Sequence, residues 1–338
     1  MRILVIGGSV FLGRAIVEEA LRRGHDVTTF NRGRSGEDRP GVTAVRGDRE
    51  VPDDLRVLAA GREWDAVVDV CGYTPKVVAE SARALSGHAG TYTFISTVSA
   101  ISSYPAQPAD ESSPLWECSP DAGPQDGDYG VLKAGCERAV ERYFEGAALI
   151  IAPGLILGPW ENVGRLPSWL LRIARGGRVL APGDPETRMQ LIDARDIAVF
   201  TLDQTEKGVS DRFITTGPPG NTTFGRWLAE CAEVTGSDAE LVWVDDRFLA
   251  GQDVQPWVEM PLWLPAEPDA AGVWKISAGK AEAAGLRCRP VAETVRDTWD
   301  WIKGHDEAAL RARYPRWSSH GLAPDKEAAL LTAWAATR

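Results

Sequence analysis

Cysteine is scarce in this chain of 338 residues: Cys71, Cys118, Cys136, Cys231 and Cys288 are odd in number and scattered, with no CxxC pair. None has a histidine nearby at metal-ligand spacing. That usage excludes a disulfide framework, points to no metal site, and fits reduced thiols in a cytoplasmic protein. A dense basic block is also missing: 37 Lys and Arg stand against 48 Asp and Glu, a formal charge of -11. Nucleic acid is therefore not the expected partner. No apolar run approaches the roughly 18 residues of a membrane span. The short run at the start leads into glycines rather than a cleavage site, so the expected location is the cytoplasm, away from any membrane. Internal repeats and low-complexity tracts are absent too. What remains is an ordinary globular composition, 44% hydrophobic and 25% charged, long enough for one large or two closely packed domains.

Through the first half, short apolar runs alternate with helical patterns: RILVI, FLGRAIVEEALRR, DVTTF, VTAV, WDAVVDV, PKVVAESARALS, TYTFIS. This rhythm predicts βαβ units feeding a parallel sheet with helices on both faces. Over 12–23, Leu12, Ile16, Ala20 and Leu21 recur at helical spacing and Gly24 ends the helix. Residues 102–128 hold five prolines and six acidic residues without an apolar period. A loop of that length in a compact domain usually serves a site. A helix from about Asp128 to Phe144, the strand ALIIA and the turn PGLILGPWEN follow. Beyond residue 150 the texture changes, because 11 of the 13 tryptophans lie there.

The segment GGSVFLGR, residues 7–14, directly follows the first strand and opens the first helix. A phosphate-binding turn needs glycines where a side chain would block approach, and backbone N–H groups at a helix start. Gly7, Gly8 and Gly13 occupy three such places, while Val10 stands where a middle glycine is usual. After the second strand, Asn31 and Arg32 replace the acidic residue that would hold a ribose diol. An arginine there can pair with a 2′-phosphate, which favours NADP over NAD; a solvated turn is the alternative. Asp48, after the third strand, is a candidate acceptor for the adenine amino group.

YGVLK puts Tyr129 and Lys133 on one helix face. A cation beside a phenol stabilises phenolate and draws its pKa toward the range where it exchanges a proton with an alcohol or carbonyl. The strand TYTFIS ends in STVS, so Thr97 is a candidate donor to the substrate oxygen, with Ser99 as substitute. An exposed helix pair and ordinary turn hydroxyls are the alternatives.

Turn, hydroxyl strand and YxxxK in this order resemble the short-chain dehydrogenase/reductase superfamily, in its extended and atypical branch, often described as NAD-dependent epimerase/dehydratase-like. GGSVFLGR resembles that family's GGTGFLGR, and VVDVCGY, FISTVS and YGVLK resemble its fourth strand, its serine/threonine strand and its catalytic helix. APGLILGP, QLIDARDIA and GKAEAAGLRCRPVAETVRDTWDW extend the likeness through most of the chain. The resemblance implies that Phe11 and Leu12 present backbone N–H groups to a pyrophosphate. It implies that Lys133 also binds the nicotinamide ribose, and that Cys71, Gly72 and Pro153 lie along the cofactor. It is compatible with a homodimer through the Tyr-Lys helix and its neighbour. Two departures matter. Val10 modifies the glycine motif, and Leu155 and Ala152 stand where sugar-nucleotide enzymes carry the asparagine and arginine of RxxN, which makes a nucleotide sugar less expected.

The expected architecture is an α/β Rossmann-type doubly wound parallel sheet with a smaller, partly discontinuous substrate-binding region. The first comprises 1–153 and about 188–220; the second, about 154–187 and 221–338. The expected activity is NAD(P)-dependent oxidation or reduction of a small-molecule alcohol or carbonyl by Thr97, Tyr129 and Lys133, with the long loop and Trp-rich region closing over an apolar substrate. One alternative is an epimerase or dehydratase with tightly held NAD acting on a sugar-type substrate. Another is a non-catalytic nucleotide-sensing or RNA-associated module. Loops 102–128, 158–187 and 245–275 carry no motif that names the substrate.

Overall fold

The computed structural model describes residues 1–337. Its first half runs β1 (Arg2–Ile6), α1 (Phe11–Arg22), β2 (Asp26–Asn31), β3 (Thr43–Arg46), α2 (Pro52–Ala59), β4 (Trp64–Asp69), α3 (Pro75–Leu85), β5 (Ala89–Ile95), α4 (Tyr129–Tyr143) and β6 (Ala147–Pro153). Next come β7 (Leu155–Leu157), α5 (Arg165–Ala174), β8 (Arg178–Pro182), β9 (Arg188–Met189), β10 (Leu191–Asp193), α6 (Ala194–Glu206) and β11 (Asp211–Thr215). The chain closes with β12 (Thr222–Thr223), α7 (Phe224–Thr235), β13 (Glu240–Val244), α8 (Asp246–Gly251), α9 (Gly279–Ala283), α10 (Val291–Ile302), α11 (Glu307–Arg313) and α12 (Pro324–Ala335).

Seven strands form one parallel sheet in the order β3-β2-β1-β4-β5-β6-β11. Because strand side chains alternate, the apolar run of β1 serves both faces. Ile3 and Val5 join Ile16, Ile197 and Phe200 on one side, and Leu4 and Ile6 join Leu58, Val78 and Val140 on the other. The chain moves outward one way from β1 and the other way from β4, which opens a crevice at the carboxyl ends of those strands.

The second region has its own core. β8 pairs with β13, and Trp169, Trp227, Trp263, Trp301 and Trp317 are buried among side chains of α5, α7 and α10. Most of the tryptophan inventory is thus structural. Ala278, Ala281 and Leu286, in a stretch assigned from sequence to this region, pack in the core of the large sheet. The two regions are tied by Arg195, which bridges Asp193 and Asp297 at 2.7 Å each, and by Arg14, whose guanidinium lies 3.4 Å from the Trp160 ring centroid.

An ion pair between the largely buried Arg49 and the fully buried Asp69 sits where β4 ends. Arg49 donates to both oxygens of Asp69 at 2.7 Å and to Ser81 Oγ at 2.9 Å, while Tyr92 Oη and the Cys71 amide also donate to Asp69. Burial opposes the Asp69 carboxylate, but the Arg49 charge and these hydrogen bonds hold its pKa below the usual value. Removing one partner leaves the other charge uncompensated, whereas replacing both with apolar groups does not. Asp69→Leu is expected to lower unfolding free energy by about 3–5 kcal/mol, with Arg49→Met/Asp69→Leu recovering much of it. Urea denaturation of the three proteins checks this; equal losses in single and double variants would contradict it.

Candidate active site

One cleft of about 1080 Å³ opens over the switch point, lined by the glycine turn, the ends of β2, β4, β5 and β6, the start of α4 and parts of the second region. Gly7, Gly8, Phe11, Leu12, Gly13, Asn31, Arg32, Asp48, Cys71, Thr97, Tyr129, Lys133 and Pro153 all line it. Gly72, whose carbonyl accepts from Lys133, completes the expected set. The folded chain therefore gathers residues separated by up to 146 positions.

The glycine turn answers the question that Val10 poses. Gly7 and Gly8 have φ of +105° and +88°, which L side chains rarely adopt, and a Cβ on Gly13 would meet the backbone of Gly8 at 3.1 Å. Val10 has φ -137° and ψ 150°, extended backbone that any residue adopts. The turn reaches its shape without a middle glycine. Val10 is the N-cap of α1, no side chain caps that helix, and its first turn contains no acid. Its leading N–H groups at the cleft wall thus suit an anion such as a dinucleotide pyrophosphate, and the residues present fit that group.

Asn31 acts differently from what its place in the motif suggests. Its amide donates to Gly7 O at 3.2 Å, and its carbonyl accepts from Gly33 N at 2.8 Å and Arg46 at 3.0 Å. It braces the glycine turn from behind. Asp38 is held by Arg46, Thr29 and Asn31, so the end of β2 presents no unengaged carboxylate to a ribose. Arg32, 53% exposed and 3.6 Å from Asp48, and Arg34 border the cleft here.

Lys133 is 3% exposed, and its ammonium donates to Ile95 O at 2.6 Å and Gly72 O at 2.9 Å. One of its three protons has no partner among the described residues. Burial lowers its pKa to about 8, against the upward pull of Cys136, Asp69 and Glu137. One turn further along α4, buried Glu137 accepts from Arg212 at 2.8 Å and from Ser96, the neighbour of Thr97. Thr97 Oγ1 accepts from Ser99 N at 3.2 Å and donates to Ser99 Oγ at 3.3 Å, so both hydroxyls share one short turn. Gly130 makes the approach possible, since a Cβ there would collide with the Ser99 carbonyl.

Tyr129 is 52% exposed, yet it is ringed by the cleft walls. Its phenol pKa is raised rather than lowered as the Tyr-Lys spacing implied. Burial is the largest cause, opposed by a hydrogen bond with Thr97 and by the charges of Arg165 and Arg316. At neutral pH the phenol is a proton donor. Tyr73, Tyr104, Arg165, Trp257 and Arg316 also line this end of the cleft and were not singled out from sequence. They lie in the loops between elements or far along the chain, where only the fold brings them to Tyr129.

A parallel sheet with a glycine turn at its switch point and a tyrosine-lysine helix beside it gives the chain a Rossmann-type fold. Residues 3–85 match the NAD dependent epimerase/dehydratase family, which bears out the resemblance read from the sequence. The chain is 29% identical over 204 residues to the 2′-dehydrokanamycin reductase of Streptomyces kanamyceticus, a match covering 58% of this chain and 55% of that protein. The chain thus spans about half the length of that curated relative. Its fold is similar to that of Thermotoga maritima UDP-glucose 4-epimerase solved with UDP-glucose (TM-score 0.68, 18% identity, 90% of this chain and 99% of that one). It is also similar to the Thermus thermophilus UDP-glucose 4-epimerase complex with NAD (TM-score 0.66, 18% identity, 90% and 100% covered). Among the described residues, no helix is long and apolar enough to cross a membrane, and no group of three or more His, Cys, Asp or Glu could hold a metal ion.

Two outcomes test this geometry. Val10→Gly should leave NADPH affinity, measured by fluorescence titration, within about twofold, because the backbone conformation does not require glycine. Gly130→Ala should lower catalytic rate at least about tenfold by parting α4 from the Thr97–Ser99 turn, since small misplacements of catalytic groups are costly. A tenfold affinity gain in the first, or an unchanged rate in the second, would contradict the account.

Proposed function

We propose that this protein is an NAD(P)-dependent oxidoreductase that interconverts a carbonyl and a secondary alcohol of a small molecule, with Thr97, Tyr129 and Lys133 as its catalytic group. The observation that carries the reading is the buried Lys133 ammonium, fixed by Gly72 and Ile95 carbonyls one helical turn from a phenol that opens on the cleft. When bound, a nicotinamide dinucleotide supplies the two-electron change at the substrate carbon. The residues of the chain do the rest. Thr97 orients the substrate oxygen by hydrogen bonding, and Tyr129 transfers a proton to it as a carbonyl is reduced. Lys133 holds the ribose and favours the phenolate left behind.

NADP is the proposed cofactor, supported by Arg32 and Arg34 at the cleft edge and by the engagement of Asp38, near the end of β2, with Arg46, Thr29 and Asn31. Asp48 is proposed as the adenine partner. Leu155, a hydrocarbon side chain in the cleft wall, weighs against a nucleotide-sugar substrate.

Tyr129→Phe is expected to lower kcat by about 10²–10⁴-fold with NADPH binding intact, as removal of a general acid does. Arg32→Ala/Arg34→Ala should lower kcat/KM for NADPH by roughly 10–100-fold while sparing NADH, the usual worth of a charged hydrogen bond. In the direction of reduction, kcat/KM should stay level at lower pH and fall as pH rises through about 8, where Lys133 loses its proton. A rate that climbs above that pH would oppose the assignment. Stoichiometric NAD released on denaturing the purified protein would favour an epimerase or dehydratase cycle instead.

A further inference from the structure

We propose that the substrate carries an anionic oxygen group, a carboxylate or a phosphate ester, held by Arg165 and Arg316 at the Tyr129 end of the cleft. This rests on the oxidoreductase reading and names the substrate class for that site. Arg165 opens α5, and its guanidinium donates no hydrogen bond to any described residue; its Nε is buried without a partner. Burying a charge without a hydrogen-bonding partner is costly, so an Arg in this state calls for an anion.

Glu161 does not fill that role. Its oxygens accept from the Arg165 amide at 2.7 Å and the Leu166 amide at 3.2 Å, capping α5, and it forms no ion pair with the Arg165 side chain. Arg316, exposed on the turn Pro315–Ser319, has neither an ion pair nor a side-chain hydrogen bond among the described residues. Burial lowers the Arg165 pKa; the Glu161 charge opposes this without supplying a hydrogen bond to the guanidinium, and Arg316 lowers it further. Both arginines line the cleft together with Tyr129, and both charges lower its phenol pKa. His320, whose pKa is lowered by burial and by these same two arginines, adds no charge at neutral pH.

The rest of the cleft sharpens the contrast. Its only lining carboxylates among the described residues, Asp48 and Glu50, belong to the segment after β3 at the opposite, adenosine end, where Asp48 faces Arg32. In a protein of net charge -11, a cationic, carboxylate-free pocket beside the proton donor is selective for an acidic ligand. Tyr73, Tyr104 and Trp257 provide flat apolar surface around it. The preferred substrate is therefore an acidic ketone or alcohol with an apolar or aromatic body.

The test uses the full chain saturated with NADP⁺, so that the pyrophosphate site is filled, and reads binding rather than turnover. Calorimetric titration with benzoate and phenyl phosphate is compared with their uncharged and cationic counterparts, benzamide and benzylamine. The expected result is that at least one anion binds at least tenfold more tightly than both counterparts, the tighter of the two identifying carboxylate or phosphate. Arg316→Gln, an exposed change that spares the core, and Arg165→Gln should each remove at least tenfold of that affinity, and Arg165→Lys should restore part of it. Absence of anion binding, preference for benzylamine, or undiminished anion affinity in Arg316→Gln would each overturn the proposal. If the chain fails to bind NADP⁺, the oxidoreductase reading falls, and the same titration without cofactor still decides whether the two arginines form an anion site.

Discussion

The burial of one ammonium group organises the site. Lys133 has no carboxylate partner at hydrogen-bonding distance; it is held by carbonyls at the ends of two different segments, Gly72 after β4 and Ile95 at the end of β5. Those bonds fix α4 against the sheet at the switch point and set the height at which Tyr129 enters the cleft. Burial displaces the Lys133 pKa downward to about 8, and neutral acceptors offset that less than a carboxylate would. Glu137 and Ser96 extend the same anchoring toward Thr97, and Gly130 removes the side chain that would prevent it.

Around that anchor the cleft divides into two electrostatic halves. At one end stand an uncapped helix start and exposed arginines, the groups proposed to meet the phosphates of a dinucleotide. At the other, Arg165 and Arg316 line the cleft with a phenol whose pKa burial raises and their charges lower. Cationic groups at both ends within an acidic protein confine positive potential to the places where charged ligands are expected to sit. The Arg49–Asp69 pair shapes the β4 end, with Arg49 itself part of the cleft wall between Asp48 and Cys71.

Local patterns made much of this legible. The strand and helix rhythm gave the parallel sheet, because period-two and period-3.6 burial leave direct marks on sequence. GGSVFLGR and YGVLK marked the two walls of the cleft because their chemistry is carried within a few residues. Asn31 was legible as a position but not as a role: its bonds to Gly7, Gly33 and Arg46 depend on how loop 31–46 folds back. The Tyr129 pKa shift runs opposite to what its spacing to Lys133 implies, since that spacing is local whereas the burial that raises it is tertiary. Arg165 and Arg316, 151 positions apart, left no shared signal. The tryptophans mark a change of texture after residue 150, but most of them build a core, and Trp257 is the one described tryptophan that lines the cleft.

The central claim is that this cleft holds a nicotinamide dinucleotide with its reactive ring beside Tyr129 and Lys133. A crystal structure of the protein with NADPH tests it most directly. The account predicts the pyrophosphate over the amides of Phe11 and Leu12, the 2′-phosphate at Arg32 or Arg34, and the ribose next to the nicotinamide bonded to Lys133. A dinucleotide bound elsewhere, or lying in the cleft with its nicotinamide turned away from Tyr129, would contradict it.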